Sequence, residues 1–408
     1  MRRWILALII TLGVLHPIRL ARAAAPAFSG LTAEYQFAER MDFAANIAGD
    51  TPITSAKLFV QSGSQPPYVL SADPFAPAIP LTVTASLDLN ETRLIPFSTI
   101  TYWWEATDQS GQTSVSPRQS FAYMDNRFDW QELANGPARV HWYQGDSGFG
   151  AAAASVASEA LPKIQQQIGV EPPAPLDVYV YASVDDLQQA VELAGRDWLG
   201  GQARPELGVV LVAIAPGDSA RRNMRRDIPH ELSHLMTFVA TAPNYASVPR
   251  WLDEGLATLN EGEPNAMQAL AVQDATAGNR LIPLITLCGV FPAKAADALL
   301  AYGQSRNVVQ RLVDQYGSAG IQALLAAYRD GATCTGGVER ALNVPLNDLD
   351  AQWRATLPGA TGGAAANPIA PAAPIGIIPW LVLIAAVVLP LVVVLVWRVP
   401  HRRGKMTR

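Results

Sequence analysis

Between Leu81 and Leu89 apolar and polar residues alternate without a break. Leu81, Val83, Ala85, Leu87 and Leu89 stand against Thr82, Thr84, Ser86 and Asp88. A period of two is that of a strand with one face buried. Lys57 to Val60, Ile100 to Ala106 and Ser120 to Met124 also read as strands, with a turn signal at Gln109-Ser110-Gly111. No helical period interrupts residues 26–126, and about a hundred residues of short strands predict a β-sandwich.

From Phe128 onward the pattern changes. Ala152 to Ile168 carries helical spacing, Leu176 to Tyr181 is an apolar run of strand length, Asp185 to Ala194 is helical, and Gly208 to Ile214 is a second apolar strand. Almost everything after that has the helical period: the segments around His230 and Trp251, then Ala293 to Tyr316, Ala319 to Tyr328, Val338 to Leu342 and Leu346 to Leu357. Strands early and helices late predict an α+β domain over 128–357. In the first domain, Tyr102-Trp103-Trp104-Glu105-Ala106 with Asp108 and Gly111 behind it resembles a late hairpin of immunoglobulin or fibronectin-like modules. Its aromatic residues suit a sandwich core, or alternatively a platform for a carbohydrate.

The two ends differ from this body. Residues 1–23 combine Arg2 and Arg3, an apolar run from Trp4 to Leu15, and Ala21-Arg22-Ala23, the layout of a secretory signal peptide with its cleavage site; an uncleaved anchor is the other reading. Residues 358–374 are rich in Ala, Gly and Pro and carry no charge, the composition of a flexible linker. Ile375 to Trp397 is an uncharged stretch long enough for one transmembrane helix, and the five basic residues of 398–408 predict a cytoplasmic tail. Together these features predict a single-pass membrane protein with an exported body. Half of the residues are hydrophobic and 16% are charged, which excludes a disordered chain. Without its basic ends the chain holds 21 Lys and Arg against 35 Asp and Glu. A body that acidic predicts no nucleic-acid partner, because phosphate recognition needs a basic surface. Cys288 and Cys334 are the two cysteines. Outside the cytoplasm they can be joined or remain buried thiols.

One motif carries chemistry. His230-Glu231-Leu232-Ser233-His234 is H-E-x-x-H; on a helix, positions i and i+4 share a face and both imidazoles can meet one metal ion, with Glu231 beside its open position. Asp227 is placed to cap this helix and Pro229 to sit in its first turn. Of five histidines two are in the motif, and His16 and His401 lie in the terminal segments. A zinc site of this kind takes a third protein ligand and keeps one position open. Asp253, Glu254, Glu261 and Glu263 are the candidates. Glu254 stands out: Trp251, Leu252, Leu256 and Leu259 make an apolar face around it, and a carboxylate facing inward needs a cation.

H-E-L-S-H, followed after nineteen residues by Glu254 within Trp251-Leu252-Asp253-Glu254-Gly255-Leu256-Ala257, resembles the gluzincin metallopeptidases, and most of all the peptidase MA-like family. The resemblance spans about 128–357. It implies Zn²⁺ held by His230, His234 and Glu254, with Glu231 as general base. Ala301-Tyr302-Gly303-Gln304-Ser305, with Val308, Val309 and Leu312, resembles the helix that carries the transition-state tyrosine in the aminopeptidase type, which implies Tyr302 as oxyanion donor; a packed helix tyrosine is the alternative. Leu199 to Ala203 and Gly208 to Ile214 occupy the place of the strand that pairs with extended substrate, but the G-x-M-E-N signature that holds a substrate amino terminus is missing. The implied function is a membrane-anchored, extracytoplasmic zinc metallopeptidase acting on a peptide or protein substrate. Its rivals are a non-catalytic binding or sensor protein on the same scaffold, or an adhesin whose β-sandwich takes a cell-surface ligand.

Overall fold

The computed structural model describes residues 24–191 and 201–358. The signal peptide, the transmembrane span and the basic tail assigned from sequence lie outside the described residues, as does all of the linker beyond Pro358. Among the described residues no helix is long and apolar enough to cross a membrane.

Eight strands build the N-terminal part: β1 (Ala27–Gln36), β2 (Arg40–Ala48), β3 (Ile53–Ser62), β4 (Tyr68–Ser71), β5 (Leu81–Asp88), β6 (Thr99–Asp108), β7 (Thr113–Val115) and β8 (Gln119–Ala122). One antiparallel sheet runs β1-β2-β5, the other β4-β3-β6-β7 with β8 also on β6. The alternation predicted for Leu81 to Leu89 appears as buried Val83, Ala85 and Leu87, facing inward with Met41, Phe43 and Ile47 of β2. Tyr102 and Trp104 are core residues. Trp103 turns to the other face, where it stacks on Phe59 at 5.2 Å and lies under Arg118 at 3.9 Å. Both faces of that indole are therefore covered, which is a poor carbohydrate platform.

A third sheet has the order β12-β13-β11-β10-β9: β9 (Gln131–Asn135), β10 (Ala138–Trp142), β11 (Leu176–Tyr181), β12 (Gly201–Arg204) and β13 (Val209–Ala213). β10, β11 and β13 are parallel, and the two outer strands are antiparallel to their neighbours. Every residue of β11 is buried. Its side chains alternate between two cores, as a strand covered on both faces must. Val178 and Val180 pack toward the helices, while Tyr179 and Tyr181 join the core of the sandwich. The sandwich and the sheet thus share one apolar interior, locked by Phe97 on Tyr179 at 4.6 Å and Trp130 on Tyr181 at 5.1 Å.

Helices α1 (Ser147–Ile168), α2 (Val184–Val191), α3 (Ala220–Thr241), α4 (Arg250–Asn260), α5 (Ala266–Ala277), α6 (Ala295–Arg329), α7 (Cys334–Leu342) and α8 (Leu346–Arg354) complete the chain. One expectation is corrected. The helix around His230 begins at Ala220, so Asp227 is not its cap and Pro229 lies in its interior. A proline there has no N–H for the carbonyl four residues back. The carbonyl of Arg225 instead accepts from the N–H of Gly262, just past the end of α4. The pair of late helices expected on either side of Gly317 is present: α6 is broken there, where Gly317 takes a non-helical conformation with positive φ. The two cysteines are joined: Cys288, in the loop before α6, is bonded to Cys334 at the start of α7.

Candidate active site

α3 packs against both the sheet and α4, and α4 crosses α6 closely. The crossing depends on Gly255, since a Cβ there would lie 2.6 Å from the carbonyl oxygen of Ser305. This contact puts His230 and His234 of α3, Glu254 of α4 and Tyr302 of α6 around one point.

His230 Nε2 and His234 Nε2 are 3.3 Å apart, and Glu254 Oε2 is 3.3 Å from the first and 3.4 Å from the second. Three donors on a tetrahedral zinc at about 2.0–2.1 Å are about 3.3 Å from one another. The triangle therefore has the dimensions of a zinc ligand set, and the three residues form a group able to hold a metal ion. Glu254 Oε2 is buried without a hydrogen-bond donor, as expected of an atom awaiting a cation.

Each imidazole is held from behind. His230 Nδ1 is 2.9 Å from Glu261 Oε1, and His234 Nδ1 is 3.0 Å from Asp253 Oδ1. Carboxylates in these places fix the tautomer and the ring plane of a ligating histidine. The hydroxyl of Tyr245 donates to Asp253 Oδ2 at 2.8 Å. Arg250 Nη2 is 2.5 Å from Glu254 Oε1, which commits that oxygen and leaves Oε2 for the imidazoles. Burial works against charge on His230, but Glu254 and Glu261 outweigh it and lift the ring to about 10. Burial also opposes charge on Glu254, yet His234, His230 and Arg250 hold its carboxyl well below the usual range. The cluster is built around positive charge in its middle.

Glu231 follows His230 on α3 and is buried. Burial raises its carboxyl, opposed by the imidazoles of His230 and His234. The edge strand β12 passes directly over it: a Cβ on Gly201 would be 2.6 Å from Glu231 Oε1, so glycine alone admits the approach. Tyr302 points its hydroxyl at Glu254 Oε1, 3.4 Å away, with its ring 6.4 Å from that of His230.

All five residues singled out from sequence therefore converge. Of the other acids considered as third ligand, Asp253 and Glu261 stand behind the histidines, and Glu263 pairs with Arg225 at 3.6 Å away from the cluster. Sequence reasoning missed Arg250 and Tyr245, and read Gly201 only as part of the substrate-pairing strand, without its contact to Glu231. Glu261 carried a readable signal for its true place, since it lies two helical turns beyond Glu254 on the same face.

A model of the Peptidase MA superfamily matches residues 156–359, half of the chain. No curated protein matches it. Solved structures similar to it include a mutant of an M1 zinc metallopeptidase from Deinococcus radiodurans, at 13% identity over 82% of this chain and 94% of that one, with a TM-score of 0.36. An aminopeptidase A from Legionella pneumophila bound to aspartic acid matches at 11% identity over 81% and 49%, TM-score 0.33. Yeast LTA4 hydrolase bound to bestatin matches at 10% identity over 71% and 59%, TM-score 0.31. Likenesses this slight add no weight to the family match.

Proposed function

The chain belongs to the peptidase MA superfamily and is a zinc metallopeptidase; we propose that it hydrolyses peptide bonds outside the cytoplasm, held to a membrane by its C-terminal span, with His230, His234 and Glu254 as the zinc ligands and Glu231 as the general base. The observation that carries this reading is the triangle of ligand atoms, 3.3–3.4 Å on each side, with Glu231 beside it under β12, the outermost strand of its sheet among the described residues.

When bound, the zinc supplies a Lewis acid that polarises the scissile carbonyl and acidifies water. The protein's own groups do the rest. β12 offers its outer backbone edge, so an extended substrate adds as a further strand and lies across Glu231. Glu231 takes a proton from the attacking water and passes it to the departing amine, and its raised affinity for protons suits both halves of that exchange. Tyr302 donates its hydroxyl to the oxyanion as charge develops there. Asp253 and Glu261 keep the imidazoles oriented while the charge at the centre changes. The Cys288–Cys334 disulfide supports an exported body, because such bonds persist in oxidising compartments.

The test compares zinc content and peptide hydrolysis of wild type and Glu231→Gln. The variant should keep its zinc and lose about 10²–10⁴ in turnover. Full turnover by Glu231→Gln would remove the base assignment. Protease added to intact cells should cut the body free and leave the basic tail protected; an intact body would remove the topology.

A further inference from the structure

The loop between α5 and α6 has a construction that the hydrolytic reading does not explain. Leu284 and Leu287 are sunk in the core, Cys288 is bonded to Cys334, and the N–H of Leu284 donates to Asp350 at 3.2 Å. A segment pinned at so many points is rigid. Its tip is apolar yet faces water: Ile285 is 47% and Val290 85% exposed. Large apolar side chains left outside, close to the candidate site, mark a surface that something covers. Next along the chain, the ring of Phe291 meets the ring of Tyr302 edge-on at 5.2 Å. Tyr302 is in turn 6.4 Å from His230. The three rings form a row leading from the zinc ligands to the exposed tip.

We propose that Phe291, with Val290 beside it, forms the apolar wall that selects the substrate side chain flanking the scissile bond, and that the disulfide holds this wall in place. The inference rests on the peptidase reading and extends it to a substrate class: peptides with a large apolar residue at that position. Tyr302 faces the reacting carbonyl, so a wall built against its ring stands next to the residue that carries that carbonyl. In an extended substrate, side chains on one face recur about every 6.6 Å, which is the scale of the spacing between these rings. No charge is offered by Ile285, Val290 or Phe291. An apolar side chain covering them releases water from both surfaces, whereas an acidic or amide side chain would be desolvated with nothing to pair with.

The experiment uses the full-length zinc-loaded chain and an equimolar pool of peptides identical except for Leu, Phe, Ser, Asp or Lys at one internal position, with cleavage read by mass spectrometry. Wild type should favour the Leu and Phe peptides over Ser and Asp by at least about tenfold in kcat/KM. Phe291→Ala should bring that ratio within about threefold, chiefly through KM, while Phe291→Leu keeps it. A Phe291→Ala enzyme that slows equally on every peptide would show a prop for Tyr302 and overturn the proposal, as would a wild type indifferent to the varied residue. If Phe291→Ala does not fold, Val290→Lys at the exposed tip decides. It should raise the Asp peptide relative to Leu by at least about threefold, and an unchanged ratio overturns the wall. Hydrolysis of no peptide by zinc-loaded wild type removes the peptidase reading itself, an outcome distinct from lost selectivity.

Discussion

Asp125 and Glu254 are both carboxylates shut away from water, one beside the sandwich and one among the helices. Asp125 takes hydrogen bonds from Arg127 at 2.9 and 2.6 Å and from the Tyr181 hydroxyl at 2.9 Å, all from its own chain. Glu254 has one oxygen committed to Arg250 and the other aimed at two imidazoles with no donor. The first is a closed account of donors and acceptors that ties two β-structures together. The second is left open on one side, and the open side is where a cation fits. Burial alone does not separate a structural acid from a ligand; an unpaired oxygen that also stands 3.3 and 3.4 Å from two imidazole nitrogens does.

Removing each acid in turn sharpens that contrast. Glu254→Ala should lose most of its zinc, with activity falling to background, while the circular-dichroism spectrum stays native; retained zinc together with lost zinc in Glu261→Ala would exchange their roles. Asp125→Ala should leave zinc affinity unchanged in whatever is folded but cost about 3–5 kcal/mol in denaturant midpoint analysis, because the Arg127 charge is stranded. Should Asp125→Ala lower zinc affinity instead, the two regions are coupled and the contrast fails. Tyr302→Phe removes a hydroxyl near the open side: zinc should stay, and kcat should fall about 10²–10³-fold with little change in KM. An unchanged kcat would make Tyr302 a packing residue. The smallest effect is expected from the Cys288→Ser and Cys334→Ser double variant. Opening a loop of 46 residues should cost about 2–4 kcal/mol of stability, read from thermal unfolding, with zinc still bound.

Much of this was legible in the residues themselves, for definable reasons. β5 and β11 announced themselves because they are buried on one face and on both faces, and the period of their apolar residues reports that. β9 did not, because all five of its residues are exposed and it is held mainly by backbone pairing to β10. α5 buries only Gln268, Val272 and Ala275, too narrow a stripe to give a period. Within the site, His230 and His234 are separated by helical spacing that chemistry constrains, and Glu254 stands on the apolar face of a second helix. Asp253 and Glu261 looked like rival ligands because spacing brings an acid near a histidine without saying which ring nitrogen it meets. Gly201 was legible only as part of the strand that pairs with substrate, and Phe291 had no signal at all, since its significance depends on a loop arriving from elsewhere in the chain.

Pro229 is conventionally a residue that interrupts helices. Here the interruption is outward-facing in its effect: by having no hydrogen to give, it turns one carbonyl of α3 into a mooring for the segment that follows α4. The moored residue, Gly262, is the neighbour of Glu261, whose carboxylate steadies His230. The ring thus owes part of its bearing to an atom that is missing from the position before it. Alanine at 229 would give α3 back its internal donor and make Arg225 choose between two partners. Pro229→Ala is therefore expected to weaken metal retention from a position outside the ligand set, and a search for inactivating changes confined to the ligands would pass it by.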